Sequence, residues 1–323
     1  MNSIVFICPY FGKLGGSFPL WLESCAANSD IDFLILTDDE RVTETELPEN
    51  VRAVPMSWED CKALVRSRLG MEVNFAYSYK LCDIKPAYGE VFSDYIEGYD
   101  FWGHTDLTDT VMGNLRSFIT DEMLCKYDKL HAYGHMTLYR NTAENNARYR
   151  IMPRCGTRLE DLFSKEEVTG FDEMWHEHSI NTIFKENGFP LIDEIENLVA
   201  DILPAQWRFR LYQDHGEYIP RVFEWKAGQL FELTVRDGEV CRREIGYVHF
   251  QKRKISIAEN INTGHFYFVP NEFISAEEPM TAERIREYSA DRLYLDPLRG
   301  RLKRLAWYAK HPKAFMRKVK EKL

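Results

Sequence analysis

The chain has 323 residues and 38.0 kDa, 45% of them hydrophobic and 14% aromatic, enough to bury a large core in one or two α/β units. Its 51 Asp and Glu outweigh 41 Lys and Arg, and a net charge of −10 excludes the basic groove that general nucleic-acid binding needs. The 7 cysteines are scattered without a C-x-x-C pair, which excludes a disulfide framework or zinc ribbon and predicts a reducing, cytoplasmic setting.

In chain order, Ser3 to Cys8 is a nearly continuous apolar run closed by Pro9, the pattern of a strand buried on both faces. The run is too short for a membrane span or signal anchor, so the chain is expected to be neither exported nor membrane-spanning. The glycines of Tyr10 to Ser17 fit no phosphate-loop spacing and predict a tight turn, with Ser17 capping a helix from Phe18 to about Ala27. Asp32 to Thr37 returns as a second strand ending in Asp38-Asp39, and Arg52 to Pro55 is a short third. Trp58 to Leu69 is a helix with Leu64, Val65 and Leu69 on its buried face. Tyr77 to Gly89 reads as helical with a kink at Pro86, and its Lys80, Asp83 and Lys85 suit either a solvated face or a buried polar role.

The densest chemistry lies in Tyr99 to Asp109. Aromatic residues favour a strand, Gly103 lets the backbone turn, and Asp106 and Asp109 stand at the strand's end, where α/β sheets bind ligands. Two carboxylates there offer hard oxygen ligands for Mg2+ or Mn2+, although the same pattern also makes an ordinary acidic turn. Further on, His131 to Arg140 reads as one strand, and Phe171 to His178 as the opening of a helix that runs through Phe184. Past Pro204 the pattern becomes antiparallel: Leu230 to Val235 alternates, Asp237-Gly238 is a two-residue hairpin turn, and Val240 to Phe250 is the returning strand. A helix from about Thr281 to Tyr294 then precedes a tail, Arg299 to Leu323, with ten Lys and Arg against one acid.

Seven blocks between Ile4 and Arg253 together resemble a nucleotide-sugar glycosyltransferase of the GT-A fold, closest to the bacterial group that builds capsule, exopolysaccharide and O-antigen. They are I-C-P-Y-F-G, L-T-D-D, Y-K-L-C-D-I-K-P-A-Y-G, D-F-W-G-H-T-D-L-T-D, G-H-M-T-L-Y-R-N, F-D-E and H-F-Q-K-R. The resemblance implies a Rossmann-like mixed α/β sheet flanked by helices over residues 1–290, with an antiparallel hairpin in its C-terminal half and a helical basic tail over residues 291–323. It implies a donor such as a UDP-sugar, a Mn2+ or Mg2+ ion on the donor diphosphate, and a glycan or lipid-linked oligosaccharide acceptor.

Residue by residue, Asp106 matches the first acid of the family's D-x-D metal motif. Thr108 stands where the second belongs, leaving Asp109 as its substitute. His249 matches a C-terminal histidine that returns to the metal, and Lys252 and Arg253 would face the diphosphate. Tyr10, Phe11 and Gly12 would lie on the nucleotide base, Asp38 on the ribose or uracil, and Lys85 near the donor diphosphate or sugar. Asp172 and Glu173 resemble acceptor-side acids, one of which deprotonates the incoming hydroxyl, while Asp172 also suits a helix cap. Two other readings remain open at this level: a sugar-nucleotide nucleotidyltransferase, of whose glycine-rich loop Gly12 to Gly16 is only a partial imitation, and a non-catalytic glycan-binding protein. Leu298, Leu302 and Leu305, then Phe315, Met316, Val319 and Leu323, recur at helical spacing among basic residues. That tail is expected either to bind an anionic membrane surface or to pack on the acidic body.

Overall fold

A computed structural model describes residues 1–251, 253–295, 302, 305, 306 and 309. Its first strands are β1 (Ile4–Tyr10), β2 (Asp32–Thr37), β3 (Val51–Pro55), β4 (Phe101–Thr105), β5 (Thr110–Met112), β6 (Lys129–Tyr133), β7 (Met136–Arg140), β8 (Leu191–Ile192) and β9 (Val199–Asp201). Seven of them form a mixed sheet in the order β3-β2-β1-β4-β7-β6-β8. From β3 to β4 the pairing is parallel, and β7 runs antiparallel to both β4 and β6.

The apolar first strand is explained by burial on both sides. Val5 and Ile7 join Leu34, Leu36, Trp102 and Tyr139 on one face, while Ile4, Phe6 and Cys8 join Phe33, Ile35 and Trp21 on the other. Gly103 sits at the centre because a Cβ there would lie 2.5 Å from the Thr137 carbonyl oxygen. The helix Phe18–Ala26 covers one face, though Ser17 bonds the Thr108 carbonyl through its hydroxyl instead of capping the helix. The helix Trp58–Leu69 covers the other, capped by Ser57 and ended by Gly70 with a φ of 67°.

The C-terminal half adds β10 (Arg221–Lys226), β11 (Gln229–Arg236), β12 (Glu239–Ile245), β13 (Tyr247–His249), β14 (Ser256–Ile257), β15 (His265–Val269) and β16 (Glu272–Ser275). All but β13 make a second sheet, ordered β12-β11-β10-β15-β16-β14. The Asp237-Gly238 turn joins β11 and β12 with φ of 49° and 86°, as a two-residue hairpin requires. Trp225 links this sheet to the first half by donating its indole N–H to the Met112 carbonyl at 2.8 Å.

Four expected elements differ. His131 to Arg140 is a hairpin of β6 and β7, not one strand, because Gly134 and His135 make the turn and His131, at φ 68°, shifts the register before it. Phe171 to His178 is a chain of turns, and the helix is only Ile180–Glu186, since Ser179 supplies its cap. The strand expected to run to Phe250 leaves its hairpin at Gly246, where a Cβ would lie 2.7 Å from the Leu198 carbonyl oxygen. Beyond it β13 enters a third, small sheet between β5 and β9. The last expected helix is shorter, Ala282–Tyr288. Most of the expected basic tail, and Lys252, lie outside the described residues. Among the described residues no helix is long and apolar enough to cross a membrane.

Candidate functional site

A cleft of about 400 Å3 opens where β1 and β4 end, between Tyr10 and Phe11 on one side, Ser78 to Lys85 on another, and the loop Thr105 to Asp109. Its polar centre is Lys85. The 310 segment Ser78–Ala87 turns inward as well as outward, and Lys80, Asp83 and Lys85 are all buried, so the solvated face is not what these residues form. The Lys85 ammonium donates to Asp106 Oδ1 at 2.9 Å and to the Gly134 carbonyl at 2.6 Å, and lies 3.7 Å from Asp172 Oδ2. Burial opposes the charge, but Asp106 and Asp172 outweigh it and hold the Lys85 pKa well above the ordinary value. Cys82 lies on the same wall, where desolvation pushes its thiol up to about 12.

Asp172 and Glu173 reach this centre from the turn after Gly170. A Cβ at Gly134 would lie 2.7 Å from Asp172 Oδ2 and 2.7 Å from Glu173 Oε1, so the β6–β7 turn needs glycine to admit both carboxylates. Burial raises the pKa of each, strongly for Asp172, against the pull of Lys85. Glu173 is only partly buried, and an upward shift toward neutrality suits a proton acceptor. The turn itself is clamped from behind. Asp83 accepts the backbone N–H groups of Thr169 at 2.9 Å, Gly170 at 2.9 Å and Phe171 at 3.4 Å. Its own charge is met by Lys80 at 2.7 Å, which also donates to the Leu162 and Glu167 carbonyls.

Beside the cleft, β9 and β13 lie in parallel register with His249 opposite Asp201, and the β6–β7 turn brings His135 against them. His249 Nδ1 hydrogen-bonds Asp201 Oδ1 at 2.8 Å, and the two imidazoles stack with centroids 4.0 Å apart. His135 Nε2 lies 3.9 Å from Asp201 Oδ2 and has no hydrogen-bond partner, although all three residues are buried. One potential ligand atom from each lies within 4.8 Å of the others. Among the described residues this is the group of His, Cys, Asp or Glu placed to share an ion. Two imidazoles and a carboxylate, one bearing an unsatisfied buried nitrogen, fit a metal. The group adjoins the cleft through the Asp106 N–H, which donates to the His135 carbonyl at 3.2 Å.

The residues expected from sequence thus divide. Lys85, Asp106, Asp172 and Glu173 come together. Tyr10, Phe11 and Asp109 line the same cleft, but Phe11 packs its ring on Trp58, and Gly12 donates its N–H to Asp38 at 2.7 Å, tying both to the loop after β1. Asp106 and Asp109 do not share the metal-capable group with His249; Asp106 is paired with Lys85 instead. Arg253 also lines the cleft, with its guanidinium bonded to the carbonyls of Leu203, Gln206 and Trp207 and to Asn271. Burial brings its pKa down to about 10. Sequence reasoning missed His135 and Asp201. The first was assigned to mid-strand, although Gly134 before it signals a turn; the second, in a three-residue strand, carries no local signal.

The model of a family of unknown function (DUF6625) matches residues 6–277. No curated protein matches the chain. Among solved structures, the crystal structure of mouse Xyloside xylosyltransferase 1, apo form, is similar at a TM-score of 0.37 and 7% identity, covering 64% of this chain and 89% of that one.

Proposed function

This chain belongs to the DUF6625 family of unknown function, a membership that assigns no activity, and from its cleft we propose one: transfer of a sugar from a nucleotide diphosphate donor, UDP-linked, to a glycan or lipid-linked oligosaccharide acceptor of a bacterial surface polysaccharide. The observation that carries this reading is the Lys85 ammonium, fixed at the carboxyl edge of the parallel strands between Asp106 and the Asp172–Glu173 pair. The donor's base would lie against Tyr10 and its diphosphate toward Lys85, with Arg253 on the far wall. As the bond from the anomeric carbon to the diphosphate oxygen breaks, the acceptor oxygen bonds to that carbon and its proton passes to Glu173. Lys85 would meet the charge that develops on the departing diphosphate, and a bound divalent ion would supply further neutralisation there. The seven sequence blocks of the GT-A resemblance support the same assignment. The basic tail would hold the enzyme against an anionic membrane surface where a lipid-linked acceptor resides.

Thermal unfolding with UDP and Mn2+ tests the reading. A ligand of the native state at about a hundredfold excess over its dissociation constant stabilises by about 2.7 kcal/mol. The expected result is a clear rise in Tm with UDP or a UDP-sugar, lost in Lys85→Met. A chain that no nucleoside diphosphate stabilises is no transferase of this class, and stabilisation by free oligosaccharide alone would favour a glycan-binding role.

A further inference from the structure

We infer that His135, Asp201 and His249 form a site for a borderline transition-metal ion of the Mn2+, Fe2+ or Zn2+ type, and that the Asp106–Asp109 loop is not where the ion is bound. The hydrogen bonds around Tyr247 leave a buried ring nitrogen of His135 without a partner. Tyr247, fully buried, lies between two histidines, its hydroxyl 2.9 Å from His131 Nε2 and 2.8 Å from His135 Nδ1. A hydroxyl has one proton to give. If it is given to His131, His135 donates Nδ1–H to the tyrosine oxygen and presents a bare Nε2 lone pair toward Asp201. If it is given to His135 instead, Nε2 carries an N–H whose nearest carboxylate oxygen, at 3.9 Å, is too far to accept it. Either arrangement leaves His135 Nε2 unsatisfied, and in the first a cation would complete that ring, while His131 Nδ1, also buried, lacks a partner in both.

The donor set then selects the cation. Imidazole nitrogen suits Fe2+ and Zn2+, and the Asp201 carboxylate also admits Mn2+, whereas Mg2+ and Ca2+ favour shells of oxygen. Tyr247 behaves as the outer partner that ligating histidines usually have, fixing the ring and its tautomer. Asp106 lacks these features: its Oδ1 accepts from the Lys85 ammonium at 2.9 Å. Thr108, between Asp106 and Asp109, offers no carboxylate to such an ion. Its participation in sugar transfer rests on the reading above; its binding does not.

The test uses the full-length chain freed of metal by chelation and dialysis, with free Mn2+ followed by electron paramagnetic resonance. One equivalent of Mn2+ is expected to leave the free pool, displaced by equimolar Zn2+ but not by a large excess of Mg2+. His249→Ala and Asp201→Asn should each weaken uptake at least ~10-fold, and Tyr247→Phe by ~10–100-fold, the range for losing an outer-shell partner. Asp106→Asn and Asp109→Asn should bind as the unmodified chain does. Circular dichroism checks folding, and should His249→Ala fail to fold, the near-isosteric Asp201→Asn decides. No Mn2+ uptake by the unmodified chain, equal displacement by Mg2+, or uptake lost in Asp106→Asn but kept in Asp201→Asn would overturn the site. Uptake as expected with no nucleotide-sugar binding would leave the site standing and remove the transferase reading.

Discussion

Lys129 shows how a single buried charge makes stability depend on pH. It is fully buried, donates to the His131 carbonyl at 2.7 Å, and lies over the Tyr139 ring. Burial lowers its pKa to about 7, with Asp193 only partly opposing. An unfolded lysine titrates near about 10.4, so between those values the unfolded chain holds a proton that the native chain lacks. This group's contribution is therefore fully present above the unfolded value and is lost as pH falls toward 7. Lys129→Met should gain stability relative to the unmodified chain at pH 7, with the gain shrinking toward pH 10 in urea titrations. A difference that stays constant across that range would show that Lys129 is charged in the fold. Nothing in K-L-H-A-Y announces this burial, since lysine is normally exposed and only tertiary packing places it under Tyr139. Asp106 stands out locally as a strand-end acid, whereas Lys85 was singled out from Lys80 and Asp83 only through the family resemblance.

The 310 segment Ser78–Ala87 is the element on which the site is mounted. Its Lys80 and Asp83 hold the turn that delivers Asp172 and Glu173, and its Lys85 lies between Asp172 and Asp106. The Lys80–Asp83 pair has no exposed side-chain surface, so removing one partner leaves the other uncompensated. Asp83→Asn should cost about 3–5 kcal/mol in equilibrium unfolding, the usual penalty for breaking a buried pair. A cost below about 1 kcal/mol, typical of exposed pairs, would mean that solvent reaches them. The sequence shows this segment as helical and kinked at Pro86, but not which way its polar residues face. Spacing of three and two places Lys80, Asp83 and Lys85 around more than one side, and burial on several sides was decided by the 162–171 chain packing over it. The β6–β7 hairpin was missed because β-prone residues flank Gly134 on both sides and outweighed the turn signal that this glycine gives.

At the scale of the molecule, an acidic body is joined to a tail in which ten of the last twenty-five residues are Lys or Arg. Binding to anionic vesicles should weaken as salt rises, since each basic residue near such a surface contributes about 1 kcal/mol at modest ionic strength. Removing residues 299–323 should abolish it while leaving UDP stabilisation intact; equal vesicle binding with and without those residues would place the attachment elsewhere. The parallel strands of the mixed sheet were broadly legible because most are separate apolar runs, whereas their order in the sheet was not. The small sheet of β5, β9 and β13 was not, being made of three-residue strands too short to leave a period. That small sheet also sets an order of events. Strands β1 to β4 can pair while the rest of the chain is still being synthesised, and Lys85 and Asp106 emerge early enough to meet. His135 gains Asp201 and His249 only after β13 has crossed out of its hairpin and inserted between β5 and β9, a closure over long stretches of chain and correspondingly slow. A nascent chain interrupted before β13 would carry every lining residue of the cleft but Arg253 and would lack His249, so capture of the proposed ion would wait for the C-terminal half.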